Sequence, residues 1–593
     1  MEPTTPELEA SAPPPSPRRR AEEELCSSLP RQDPVAAQAL LCEAVARLVA
    51  AREPAERQLA ALFTFDQHAQ SLGRRLLASY ASGDAQLRSH DRQFFIAAQR
   101  LARTFTAAYA HVQARIAAAG GTLSHEDAGT VAVQLLRHRQ VELMLRLFRY
   151  KKRNSEVWQQ IHATYQSARA HVLAKAPRTQ EGAADKSPVE QAVEQGYIQN
   201  LLLGALGTGQ FSPRELLWAR NWIARWCTLL TLRAPDAVGH APELRCGFVV
   251  DPGGAEGPRR PVPGETGPLL HLDTAPLLAA IDEAIAAASA VPSPASAPAT
   301  AERHAQTVLR ARLRTLLAPV PVHVRRRGER TPAAASVLAV SGLAQIVQLL
   351  RNEAQHSRRP DATSATQFDE ITIAAAGGQT RTSNSVMGAG GLDAFSIATT
   401  FGPTPRRWQV KDQSDSGCRM RGQTTDLNGL IPGSLIAFRE SEPDPWTVGV
   451  IRRLRRLMVD HVELGVEYLG RSPRYVKIVT GDHLGALSED MPNGNQKCMG
   501  ALYVPASEQH PTMPIRTLLI PAMASHAGTT ITLISSKATY TLRLNKPLEQ
   551  QAGFVWTSFA VIDKVVARTG PAAVATAMPR THDDRSVAAV FRD

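Results

Sequence analysis

Asp412-Gln413-Ser414-Asp415-Ser416-Gly417 follows a short extended run, Trp408-Gln409-Val410, and opens a series of β-type segments. Pro432-Gly433 precedes Ser434-Leu435-Ile436-Ala437-Phe438. Thr447-Val448-Gly449-Val450-Ile451 and Val462-Glu463-Leu464-Gly465-Val466-Glu467-Tyr468 come next. Short strands punctuated by Gly, Pro and Asp point to an antiparallel barrel. Further strands are expected over about 500–562, most clearly at Thr530–Ile534 and Tyr540–Leu544.

Upstream of 320 the texture is helical. Phe95, Ala98, Leu101, Ala102, Phe105, Tyr109, Val112 and Ile116 recur at i, i+3, i+4 spacing and define one apolar face. A second helix is predicted over 130–150, with Val133, Leu136, Leu143 and Leu147 on its core side. Ser187-Pro188-Val189-Glu190 and Ser212-Pro213-Arg214-Glu215 are two helix starts of one design. The serine caps, the proline suits the first turn and the glutamate reaches back to the cap amide. Trp218, Trp222 and Trp226 then share a face, read as core, with a partner or dimer surface as the other reading. Asp273 or Thr274 caps an Ala/Leu helix ending near 290, and another helix covers about 301–318.

The chain therefore reads as a multidomain α+β protein of 593 residues. We expect a disordered tail (1–34), a helical domain (35–175) and a second helical segment (188–290). A linker and helix (291–318) lead to the barrel (319–480). The barrel is expected to carry an inserted Gly/Ser/Thr-rich loop (354–404) with one hairpin, Ile371–Ile373 and Phe395–Ile397. Additional β structure (481–565) and a tail (566–593) complete the chain.

The six cysteines form no CxxC pair, which argues against a zinc ribbon or thioredoxin-type motif. Few cysteines, no apolar leader and no run long enough to span a bilayer read as a cytoplasmic protein. The net charge is +12 and arginine dominates lysine, which suits an anionic partner. A GC-rich coding sequence explains the surplus equally well. The basic run Arg146–Arg153 reads as a solvated helix end rather than a nucleic-acid contact, and Arg452, Arg453, Arg455 and Arg456 as an exposed strand face. No P-loop, dinucleotide fingerprint, HExxH or GxSxG motif is present, so no enzyme is expected and no catalytic or metal residue is assigned.

Arg325-Arg326-Arg327-Gly328-Glu329-Arg330 lies upstream of the Asp412–Gly417 run. Together the two stretches resemble the PilZ family, whose signature is RxxxR followed by [D/N]xSxxG. Arg326 and Arg330 supply the first motif, and Asp412, Ser414 and Gly417 the second. The strand order around Pro432-Gly433, Trp446 and Glu463–Glu467 is similar to that family as well. The resemblance covers about 320–480. It implies a small antiparallel β-barrel that binds cyclic di-GMP, with no other cofactor, and arginines that wrap onto the barrel from the preceding segment.

The chemistry agrees. Arginine forks onto the guanine O6/N7 edge, clamps phosphate or stacks on a base. A carboxylate accepts from guanine N1–H and N2–H. Gly417 permits a close backbone approach or a positive φ. The 81 residues between Arg330 and Asp412, which include the inserted loop 354–404, leave Arg406 and Arg407 as rivals to the upstream pair. Arg325–Arg330 also reads as a solvated linker, and Asp412-x-Ser414 as a turn that caps its own amides. The expected function is a cyclic di-GMP effector whose helical half signals to a protein partner. A barrel that has lost its ligand and serves only as an interaction module is the alternative, and a nucleic-acid-binding protein a third reading.

Overall fold

The computed structural model describes residues 24, 26–82, 88–151, 155–170, 187–234, 247–262, 267–290, 297–318, 329–356, 403–423, 430–457, 461–480, 497–506, 515–522, 528–534 and 538–566, except 208, 443 and 552. It divides into two compact units. The first holds 1–284 with 310–322, and the second 285–309 with 323–593.

The first unit is built from α1 (Pro34–Ala50), α2 (Ala55–Ser82), α3 (Arg88–Ala118), α4 (His125–Phe148), α5 (Ser155–Ala168), α6 (Pro188–Ala205) and α7 (Pro213–Trp226). α3 packs on α1, α2 and α4, and α4 on α6. The predicted α3 face is the buried one, from Phe95 to Ile116, with Phe105, Tyr109 and Val112 wholly inaccessible. In α4, Leu136, Leu143 and Leu147 are buried and Val133 is half-buried. A buried carboxylate needs partners. Asp66 of α2 accepts from the Tyr109 hydroxyl at 2.9 Å and lies 3.1 Å from His138 Nε2. Burial, then the Asp66 charge, drives the Tyr109 phenol far above its ordinary range.

Both serine starts are complete capping boxes, at Ser187/Glu190 and Ser212/Glu215. Ser212→Ala removes the acceptor for the Glu215 amide and is expected to cost about 1 kcal/mol. Urea unfolding of the variant checks this. α7 buries Leu216, Ala219 and Ile223. The tryptophan stripe beside them is only half-buried, which corrects its reading as core. The Arg214 guanidinium lies 4.8 Å from the Trp218 ring and that of Arg310 4.6 Å from Trp222. Cation–π contact lets such faces stay partly in water.

A three-stranded antiparallel sheet of β1 (Leu232–Arg233), β2 (Gly247–Val250) and β3 (Leu270–Asp273), in the order β1-β3-β2, follows α7. Trp158 of α5 is 1% exposed and lies against two glycines. A Cβ at Gly204 or Gly257 would come within 2.3 or 2.4 Å of its indole. Next come α8 (Ala275–Ala290) and α9 (Ala297–Leu317). Asp273, rather than Thr274, accepts from the Ala275 amide at 2.9 Å, while the Thr274 hydroxyl donates to the Leu317 carbonyl.

The second unit contains two closed six-stranded antiparallel barrels. The first comprises β5 (Ser336–Ser341), β6 (Arg406–Ser414), β7 (Gly417–Gln423), β8 (Leu435–Arg439), β9 (Thr447–Arg456) and β10 (His461–Arg471). Their order is β6-β5-β8-β9-β10-β7, and the β6–β7 pairing closes the ring. The short β4 (Thr331–Pro332) adds to the edge of β6. Trp408, Val410, Met420, Leu454, Val462 and Leu464 fill the interior.

The second barrel is formed by β11 (Arg474–Thr480), β12 (Lys497–Val504), β13 (Thr517–Ile520), β14 (Thr530–Ile534), β15 (Ala538–Gln550) and β16 (Val555–Val566). It closes in the order β11-β12-β13-β16-β15-β14 around Ile478, Tyr503, Leu518, Ile531 and Leu542. The expected boundary at 480 thus falls inside the second barrel, whose first strand is separated from β10 by two residues. The expected hairpin at 371–397 lies outside the described residues.

Helix α10 (Leu343–His356) packs on β5 and β8 of one barrel and β11 and β12 of the other. Its Glu353 takes the Trp446 indole N–H at 2.9 Å and the Arg439 guanidinium at 3.0 Å. Arg452, read as part of an exposed face, is exposed as expected and is also ion-paired. It pairs with Glu467 at 2.6 Å and, through both terminal nitrogens, with Glu549 of β15 at 2.6 and 2.5 Å.

Candidate functional site

The β6–β7 hairpin places the Asp412–Gly417 run. Ser414 and Gly417 face each other across a two-residue turn, and the Ser414 hydroxyl donates to the Gly417 carbonyl at 3.2 Å. Further along, Val410 is in register with Met420, but Asp412 is in register with Arg419, so the ladder slips at Lys411. Such a bulge re-aims the side chains around it. It sets Asp412 beside Arg419, while Val410 and Met420 stay in the core.

The Asp412 carboxylate is only 12% exposed and both of its oxygens are engaged. Arg330 Nη1 reaches Oδ1 at 2.8 Å, and Arg419 Nη2 reaches Oδ2 at 2.6 Å. Arg419 Nη1 lies 3.7 Å from Glu463 of β10. Arg330 arrives because Pro332 of β4 is paired with Asp412 itself. The Arg330 and Arg419 side chains are 47% and 43% exposed, so the pairs reach solvent. Exposed pairs of this kind contribute on the order of 1 kcal/mol or less. The carboxylate is therefore held, but by partners that leave at small cost.

Gly417 serves close approach. A Cβ there would sit 2.3 Å from the Val466 carbonyl oxygen, and its φ is not positive. Next to it, burial pushes the Cys418 thiol up to about 12; a hydrogen bond with Tyr468 opposes this, and the Asp412 charge adds to the rise. A thiol so protonated is no nucleophile at neutral pH.

The structure brings Arg330, Asp412, Ser414 and Gly417 into one neighbourhood. Arg326 lies outside the described residues. Arg406 and Arg407 stand in register with Ala339 and Leu338 at the far end of β6, about 20 Å along the strand from Asp412. Arg419 and Glu463 complete the cluster and are absent from the motif reading. Their signal in sequence is the alternation Cys418-Arg419-Met420-Arg421, which places arginines opposite the core residues.

Among the described residues no group of three or more His, Cys, Asp or Glu side chains could hold a metal ion. No described helix is long and apolar enough to cross a membrane.

Residues 20–236 match the family model described as "Cyclic-di-GMP receptor FimW, N-terminal domain". The match covers α1–α7 and stops before the first barrel. No curated protein sequence matches the chain.

Proposed function

We propose that the protein is a non-catalytic cyclic di-GMP receptor that holds its ligand on the outside of the first barrel, at Arg330, Asp412, Ser414 and Gly417. The observation that carries this reading is the Asp412 carboxylate, held at both oxygens by arginines from two different segments. These side chains are the complement of a guanine edge and a phosphodiester. Asp412 accepts from guanine N1–H and N2–H, and arginines take O6, N7 and phosphate oxygens. Without ligand, Arg330 neutralises Asp412. With ligand, Arg330 turns to the nucleotide and Asp412 takes the base, while Arg419 and Glu463 keep the hairpin in register.

Three things support the reading. The cluster stands where the two PilZ-like motifs meet. Arg330 directly precedes the two-residue β4 at the barrel edge, and its side chain is about half exposed, so its position is easily reset. The N-terminal part of the chain is similar to a family named for a cyclic di-GMP receptor. In this reading the helical half relays occupancy to a protein partner.

Calorimetry on the full chain tests it. Cyclic di-GMP should bind, and Arg330→Ala should weaken binding at least about tenfold, the worth of a charge-assisted hydrogen bond. Arg406→Ala and Arg407→Ala should leave it unchanged. Equal affinities in Arg330→Ala and wild type would reject the site.

One observation favours a second reading. Asp412 already has both oxygens satisfied, as expected of a structural network in a ligand-free interaction module. Absence of binding by the wild-type chain at micromolar cyclic di-GMP would select it.

A further inference from the structure

The helical unit contains a pocket of about 290 Å³ enclosed by α2, α3, α4, α6 and α7. Its chemistry is lopsided. Arg74 of α2, Arg137 of α4 and Arg220 of α7 all line it. Among the described residues no carboxylate lies within ion-pair distance of any of the three. Like charges repel at such range, and a fold gathers them only where something offsets the cost. The nearest buried acid, Asp66, is already committed to Tyr109 and His138.

Two of the arginines are also held in place. Arg220 Nε donates to Gln140 at 2.9 Å. Gln140 donates to Gln199 at 3.2 Å, and Gln199 to the Cys227 sulfur at 3.3 Å. This relay of amides fixes the guanidinium plane of Arg220. On the other wall the Gln134 carbonyl accepts from Gln70 at 3.0 Å and from Arg137 at 3.1 Å. Burial first, and then Arg74 and Arg137, pull the Arg220 pKa down to about 10. The group remains charged at neutral pH and lacks a counter-ion. Preorganised donors around an unbalanced positive charge are what an anion site needs.

We propose that this pocket binds a small phosphate-bearing molecule, with the phosphate between Arg74, Arg137 and Arg220. Three guanidiniums converging from three helices match the several oxygens of a terminal phosphate better than the two of a carboxylate. The volume is at the lower limit of small-molecule pockets, which suits one phosphorylated metabolite or mononucleotide. α3 contributes only apolar side chains to the lining, a surface for the uncharged part of the ligand. The site is independent of the barrel.

The test titrates the full chain with inorganic phosphate and, separately, with GMP as a mononucleotide probe. GMP should bind saturably and inorganic phosphate should compete, which separates an organic phosphate from the free ion as the preferred ligand. Arg74→Gln and Arg137→Gln, both at exposed positions, should each weaken GMP at least about tenfold. Arg220→Gln should do the same if it folds; the two exposed variants decide the matter if it does not. Asp412→Ala should leave GMP binding intact, so the barrel site and this one fail separately. No saturable binding of either probe to the wild type, or unchanged GMP affinity in the Arg74→Gln/Arg137→Gln double variant, would overturn the proposal.

Discussion

Asp412→Ala is expected to raise the Kd for cyclic di-GMP more than a hundredfold while leaving the barrel folded. In the proposed complex the carboxylate receives guanine N1–H and N2–H. Losing two hydrogen bonds to an ionised carboxylate costs about 3 kcal/mol, which is more than two decades in affinity. The fold survives because the partners left behind, Arg330 and Arg419, are 47% and 43% exposed and water can solvate them. Asp412→Asn should fall between the two. It keeps one acceptor but presents an amide donor where the base presents its own. Calorimetry measures the loss, and circular dichroism at the same concentration verifies the fold. A tenfold effect or less would mean that Asp412 only braces the hairpin.

Gly417→Ala should damage the first barrel directly. The new methyl group would sit 2.3 Å from the Val466 carbonyl oxygen and 3.4 Å from the Glu467 Cα. Both neighbours are backbone of β10, in register with β7 through Val466↔Cys418 and Glu467↔Gly417. Neither moves without opening the ladder. Overpacking of this kind costs about 3 kcal/mol. Hydrogen exchange should show faster amides in β7 and β10, with the second barrel and α1–α7 unaffected. Uniform protection across all strands would mean that the hairpin relaxes freely and the glycine is not required sterically.

Much of this was legible because it is local. A capping box needs four adjacent residues, and both Ser187 and Ser212 begin helices as read. The α3 face follows from helical periodicity alone. The β6–β7 hairpin falls where Asp412–Gly417 predicts a turn, and Gly417 takes the first of its two expected roles. What was missed is non-local. That Arg419 meets Asp412 depends on the ladder slip at Lys411, which no spacing rule reveals. That Arg330, and not Arg406, lies beside Asp412 follows from β4 pairing with the Asp412–Gln413 end of β6, across the long insertion. Closure of the second barrel rests on β11 meeting β14 across an intervening pair of strands. The Arg452–Glu549 pair joins positions 97 residues apart. Register and ring closure arise from whole-sheet packing, so these contacts are invisible to a window of sequence.

The most direct measurement is hydrogen exchange on the full chain with and without saturating cyclic di-GMP. The account predicts protection gained at the Arg330 and Thr331 amides and along Lys411–Arg419, lost in Asp412→Ala. Protection confined to residues 20–236, or none anywhere, would contradict it.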